Sequence, residues 1–279
     1  MQRKSVIVAA KRTPVGAFQG HLSSISSPDL AAVAIKHILG ETRIQPDQID
    51  EIILGNVLTA GQGQAPARQA ALNSGCPNSV EALTINKMCG SGLKAVMLAD
   101  QAIRCGDADT VLAGGMESMS NAPYLLKNAR GGQRLGHGTM IDSMIHDGLW
   151  DVYSNKHMGT CAEMLAADRH YSREAQDAYA IESYRRAQDA QAKGVFKSEI
   201  VPVEVPQRKG DPVIIEEDEE PGKAQFDKIP NLRPVFEKEG TITAANASKL
   251  NDGAAALLLT SEDQAKELDL EPLAVIVAQ

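Results

Sequence analysis

The stretch Asn86-Lys87-Met88-Cys89-Gly90-Ser91-Gly92-Leu93-Lys94-Ala95 limits the possible folds more than any other part of the chain. Ahead of it, Ala82-Leu83-Thr84-Ile85 reads as a short buried strand. Behind it, Leu93, Val96, Met97 and Ile103 recur at helical spacing, and Gly106 supplies a stop. Cys89 therefore falls where a strand turns sharply into a helix, and Gly90 and Gly92 remove Cβ atoms from the turn. The first turn of a helix offers unpaired N–H groups and a partial positive charge, which favour a thiolate over a thiol. A nucleophile fits there. By itself the turn leaves the chemistry open, because a lone cysteine in apolar surroundings is ordinarily a packing residue. Gly-rich strand–helix turns also bind phosphate or simply pack closely.

The rest of the chain reads as strands alternating with helices. Residues 5–10 form a first strand, followed by the polar turn Lys11-Arg12-Thr13-Pro14. Ser27 and Pro28 open a helix with Leu30, Val33, Ala34, His37 and Ile38 on one packed face, ended by Gly40. A strand over 51–57, a helix over 66–72 and a strand over 110–113, closing on Gly114-Gly115, continue the alternation. Apolar strands separated by helices predict a largely parallel sheet covered on both faces. The 43% hydrophobic and 4% aromatic composition suits helices packed on a sheet.

At Asn121 the periodicity stops. Residues 121–157 are rich in Gly, Met, His and Asn, with no sustained period. Thr160 and Glu163 are spaced as a capping box, and Ser172 caps a long Ala-rich helix running to Gly194. The run Glu216-Glu217-Asp218-Glu219-Glu220 reads as a solvated loop. Sheet character returns with Ala254-Ala255-Ala256-Leu257-Leu258-Leu259, and again at 273–277. An insertion between two strands of one domain explains this order better than two domains in series. The expected division is 1–120 with 249–279 as the α/β domain, and 121–248 as the insertion.

The formal net charge of −8 argues against a general nucleic-acid binder, though not against a phosphorylated small molecule. Cys76, Cys89, Cys105 and Cys161 form no C-x-x-C pair and have no metal-ligand spacing, so reduced thiols in a cytoplasmic setting are expected. The apolar runs are too short to span a membrane. The run after Arg3 and Lys4 has no cleavage-site pattern, so no signal peptide is expected.

Four segments together identify a family. Lys11-Arg12-Thr13-Pro14-Val15-Gly16, Asn86-Lys87-Met88-Cys89-Gly90-Ser91-Gly92, Gly114-Gly115-Met116-Glu117-Ser118-Met119-Ser120 and Asn246-Ala247-Ser248-Lys249-Leu250-Asn251-Asp252-Gly253 resemble thiolases in order and spacing along the whole chain. His157-Met158-Gly159-Thr160-Cys161-Ala162-Glu163 resembles the form in short-chain acetoacetyl-CoA thiolases. The resemblance implies a layered thiolase-like α/β fold with a mostly parallel sheet covered by helices, plus an inserted CoA-binding loop domain. It implies that Cys89 attacks an acyl-CoA thioester, and that a second acetyl-CoA, deprotonated at its α-carbon, takes the acyl group to give acetoacetyl-CoA. The reverse reaction is thiolysis. Positions matching the family's CoA contacts are Leu149, His157, Met158, Phe236, Ala244, Ala247 and Ser248. Lys223 stands near where an arginine often meets the CoA nucleotide. No cofactor or metal is implied beyond acetyl-CoA, acetoacetyl-CoA and CoA as substrates and products. A homodimer or homotetramer in fatty acid metabolism is the expected assembly and setting.

The family also has a second half carrying an activating His and an acid/base Cys, and no residue here matches either motif. The expectation is a chain comprising the amino-terminal half and the loop domain, with 273–277 an unpaired strand that opens the second half and poor activity alone. Two other readings compete: a related condensing enzyme such as a ketoacyl synthase, disfavoured by His157-Met158-Gly159, and a non-catalytic acyl-CoA-binding thiolase derivative.

Overall fold

Residues 3–279 are described by the structure, a computed structural model. In chain order the first part contains β1 (Ser5–Arg12), β2 (Gly16–Ala17), α1 (Ser27–Thr42), β3 (Glu51–Gly55) and α2 (Pro66–Asn73). It continues with β4 (Glu81–Ile85), α3 (Ser91–Cys105) and β5 (Thr110–Ser118). There follow β6 (Tyr124–Leu125), β7 (Ile141–Asp142), β8 (Trp150–Asp151) and β9 (Lys156–His157). After α4 (Met158–Asp168) and α5 (Arg173–Ala192) come β10 (Val203–Val205) and β11 (Val213–Ile215). The chain then returns through β12 (Asn251–Ser261), α6 (Glu262–Glu267) and β13 (Ala274–Val275).

The main sheet has the order β13-β1-β12-β5-β3-β4, with β2 pairing β12. β3 is parallel to β4 and β5, while β12 is antiparallel to β5 on one side and β1 on the other. Thus β1, β3, β4 and β5 all point the same way, and β12 is the reversed strand between them. Strands β6 to β11 form three separate two-stranded pairs. The run 273–277, expected to be unpaired, places β13 antiparallel on β1.

Successive side chains of the central strands enter two cores, as strand pleating requires. Ile52, Leu54, Leu112 and Leu258 pack with Leu30, Ala34, Ile35 and Ile38 of α1 on one face. Ile53, Val111, Ala113 and Leu259 pack with Ala95, Ala99 and Ile103 of α3 on the other. This two-sided burial explains the continuous apolar runs. β4 differs from its sequence reading: it lies at the sheet edge and Leu83 is 43% exposed. The Gly114-Gly115 pair lies inside β5, where a Cβ on Gly114 would stand 2.0 Å from the Ala255 carbonyl oxygen. Strand β12 can approach β5 this closely only against glycine.

Three local expectations shift. Helix α1 is capped by Ser26, whose hydroxyl accepts from the Asp29 N–H, and it runs through Gly40 to Thr42. His37 is exposed, and its Nδ1 lies 3.0 Å from the Val33 carbonyl. The acidic run is not simply solvated. Asp218 accepts two bonds from the Arg12 guanidinium, at 2.7 and 3.0 Å, and one from the Val15 N–H. Glu219 accepts from the N–H groups of Ala17 and His21 and from the Lys223 ammonium. These bonds sew residues 218–223 to the loop that follows β1. Burial alone would raise the Glu219 carboxyl, but Lys223 and the two backbone donors outweigh it and hold the group at about 2.

Candidate active site

Cys89 is exposed in the turn between β4 and α3. The turn is knitted by its own residues: Asn86 Oδ1 accepts from the Met88 N–H at 2.8 Å, and the Gly90 and Ser91 N–H groups donate to the Lys87 and Met88 carbonyls. Ser91, buried at the start of α3, accepts from the Lys87 N–H at 2.8 Å and donates to the Met88 carbonyl at 2.6 Å. Its hydroxyl closes the loop from both ends, a role the sequence reading missed. The left-handed residue is Met88, with φ 50°, a conformation costly for a side-chain-bearing residue.

The glycines needed for close approach are not the two expected. A Cβ on Gly90 would come no nearer than 3.5 Å to its neighbours, and one on Gly92 no nearer than 3.6 Å. On Gly55, at the end of β3, it would stand 2.5 Å from the carbonyl carbon and Cβ of Ser91. The start of α3 rests on bare backbone there.

Cys89 opens into a cavity of about 430 Å3, also lined by Arg12, Asn56, Met88, Glu117 and Leu149. Its lining is mostly apolar, with Arg12, Cys89 and Glu117 as the ionisable groups. Glu117 accepts from Val57 N–H at 2.9 Å, Leu58 N–H at 3.1 Å and Asn56 Nδ2 at 2.8 Å. Burial pushes its carboxyl up, opposed by these three donors. Glu117 thus fixes residues 56–58 as one wall. Leu58 in turn abuts Gly148, where a Cβ would lie 3.2 Å from Leu58 Cδ2, next to Leu149.

The expected CoA contacts are brought together in groups. Leu149 shares the cavity with Cys89. Ala247 and Ser248 line a second groove of about 1000 Å3 with Tyr179, Tyr184, Asn246 and Lys249. His157 and Phe236 stack with ring centroids 5.0 Å apart and an interplanar angle of 24°. His157 caps α4 through Nδ1, which accepts from the Gly159 N–H, and Met158 is exposed. The ring of Phe236 lies where a Cβ on Gly159 would be, at 2.3 Å. The Ala244 carbonyl accepts from the Lys249 ammonium at 2.8 Å. Lys223 lines neither cavity, and its ammonium lies 2.6 Å from Glu219. The capping box expected at Thr160 and Glu163 is absent: Glu163 is buried and binds residues 241–242 instead.

Residues 5–263 match the thiolase N-terminal domain. The chain belongs to the thiolase family. It is 53% identical over 272 residues to a protein of Staphylococcus aureus strain COL named "probable acetyl-CoA acyltransferase". That alignment covers 97% of this chain and 69% of the relative. The same-named protein of strain NCTC 8325 gives the same figures, and that of strain MRSA252 is 52% identical over the same coverage. Membership of the thiolase family accounts for the four sequence segments falling where they do. Arg12, Met88, Cys89, Met116 and Glu117, drawn from three of them, meet around the cavity, while the fourth, at 246–253, contributes Gly253 to that cavity and Asn246 to Lys249 to the groove.

Proposed function

We propose that this chain carries out acyl transfer from a CoA thioester to Cys89, as the first half of acetoacetyl-CoA formation or its thiolytic reversal. The observation that carries the reading is the exposed thiol of Cys89 at the mouth of a mostly apolar cavity, directly ahead of α3. The Cys89 sulfur adds to the thioester carbonyl, the CoA thiolate leaves, and an acyl-cysteine remains. Covalent catalysis thereby divides one difficult condensation into two easier steps. A deprotonated second acetyl-CoA then attacks the acyl carbon and frees Cys89; thiolysis runs the same path backwards.

The groove lined by Ala247 and Ser248 suits the pantetheine arm. These two residues give its wall small side chains, and Leu149 lines the cavity that holds Cys89. The acetyl preference rests on the relatives' name and on the His157-Met158-Gly159 segment. Removing the α-proton requires a base. Glu117 is engaged by three N–H donors, so we assign it to positioning the wall and not to that step. The test is incubation with acetyl-CoA followed by peptide mass analysis. Acetylation at Cys89 supports the reading; CoA binding with no adduct at any concentration refutes the covalent step.

A further inference from the structure

Residues 241–248 include Thr243, which forms a β-bridge with Pro234, and lead towards β12, carrying Ala247 and Ser248 into the groove. Two buried carboxylates from two different helices hold this segment. Glu163 of α4, 6% exposed, accepts from the Thr241 N–H at 2.8 and 2.9 Å, from the Thr241 hydroxyl at 3.0 Å and from the Ile242 N–H at 2.7 Å. Asp177 of α5, 5% exposed, accepts from Asn246 Nδ2 at 2.9 Å. The other Asp177 oxygen takes Arg173 Nε at 2.7 Å, and Arg173 reaches the carbonyls of Ile229 and Leu232.

Asn246 has no freedom left. Its Nδ2 faces two acceptors, Asp177 and the Thr241 carbonyl at 3.0 Å, while its Oδ1 accepts from the Thr243 N–H at 2.7 Å. A half-buried amide satisfied on both sides fixes the backbone that carries it. The same backbone is joined to the other expected contacts. The Ala247 N–H donates to the Thr243 carbonyl, and the Val235 N–H, next to Phe236, donates to the Ile242 carbonyl. Phe236 stacks on His157, and His157 begins the helix that carries Glu163.

We propose that the Asp177–Asn246 pair, together with Glu163, is the positioning element of the thioester site. It sets Ala247 and Ser248 in register with the His157–Phe236 stack, and its loss weakens thioester binding before it affects the cysteine. The inference rests on the CoA reading of the groove given above.

The test exchanges amide for carboxylate in the full chain. Asn246→Asp sets two carboxylates against each other, and Asp177→Asn added to it restores one donor and one acceptor. CoA affinity by calorimetry, amide hydrogen exchange over 241–248 and alkylation of Cys89 by iodoacetamide are measured well below the melting temperature. Asn246→Asp is expected to weaken CoA binding about tenfold or more and to speed exchange over 241–248, with Cys89 alkylation within about twofold of wild type. The double exchange is expected to recover part of the lost affinity, since it restores the 177–246 bond while the Thr241 carbonyl still lacks its donor. Thr241→Val, a milder change that removes the hydroxyl's bond to Glu163 and the one it accepts from Gln176, is expected to weaken CoA binding about threefold and covers the case of a variant that does not fold. CoA affinity unchanged in Asn246→Asp overturns the positioning role alone, as does loss of affinity that the double exchange leaves unrepaired. A wild-type chain that takes up no CoA overturns the thioester reading and the positioning role with it.

Discussion

Gly55→Ala examines how the cysteine turn is supported. The added Cβ would lie 2.5 Å from the carbonyl carbon and Cβ of Ser91 and 2.6 Å from the Gly92 nitrogen. Carbon atoms pack at about 3.5–4 Å, so the start of α3 must retreat by about 1 Å. Two of the three contacted atoms are backbone, and α3 is anchored by Ala95, Ala99 and Ile103 in its core, so the retreat has no soft direction. Overpacking of this kind costs about 1–3 kcal/mol or more, which for a chain of this size lowers the melting temperature by roughly 2–5 °C or more. A displacement of about 1 Å at a reacting group lowers rate by up to about 100-fold. The assay pairs thermal melting with the rate of Cys89 acetylation by acetyl-CoA, resolved by peptide because Cys76, Cys105 and Cys161 are also free. Gly92→Ala is the control: its Cβ meets nothing nearer than 3.6 Å, so melting is expected to stay unchanged or rise. Gly55→Ala that melts and acetylates like wild type would refute the reasoning, and so would a Gly92→Ala variant as damaged as Gly55→Ala.

Glu219 is held at about 2, below the ordinary 4.5, so its contribution is fully present above about pH 4.5 and is lost as pH falls towards 2. Urea unfolding should show Glu219→Gln less stable than wild type near neutrality, by an amount on the order of 2–3 kcal/mol, with the gap closing towards pH 2.5; a gap constant with pH contradicts this. Gly159→Ala drives a Cβ into the Phe236 ring and is expected to cost about 1–3 kcal/mol as the ring leaves His157. Unchanged melting would mean the ring has room to move. Glu117→Gln turns an amide donor towards the N–H groups of residues 56–58 and is expected to destabilise by about 1–3 kcal/mol, read by urea unfolding. Full stability in that variant removes Glu117 as the anchor of the cavity wall.

The parts legible in the sequence were those set by local pattern. The strand, turn and helix around Cys89 follow from period and composition within a few residues, as does the Ser172 cap. Four short motifs sufficed to place the family. What stayed hidden depends on partners far along the chain. Glu163 sits at capping-box spacing from Thr160, yet its partners lie 78 and 79 positions away. Glu219 looks like one acid in a charged run until Ala17, 202 positions away, is seen to donate to it. Gly90 and Gly92 stand out beside the cysteine, while the glycines under steric constraint, Gly55 and Gly114, face elements that only the folded sheet brings near. β4 read as buried because apolar content does not reveal which strand ends a sheet.

The most direct test of the central claim is the mass of the Cys89 peptide after the chain meets acetyl-CoA, followed by the same measurement after excess free CoA is added. The account predicts one acetyl group on Cys89 that free CoA removes, with no such adduct in Cys89→Ser. An acetyl group on Cys105 or Cys161 with Cys89 unmodified, or an adduct that persists in Cys89→Ser, would contradict it.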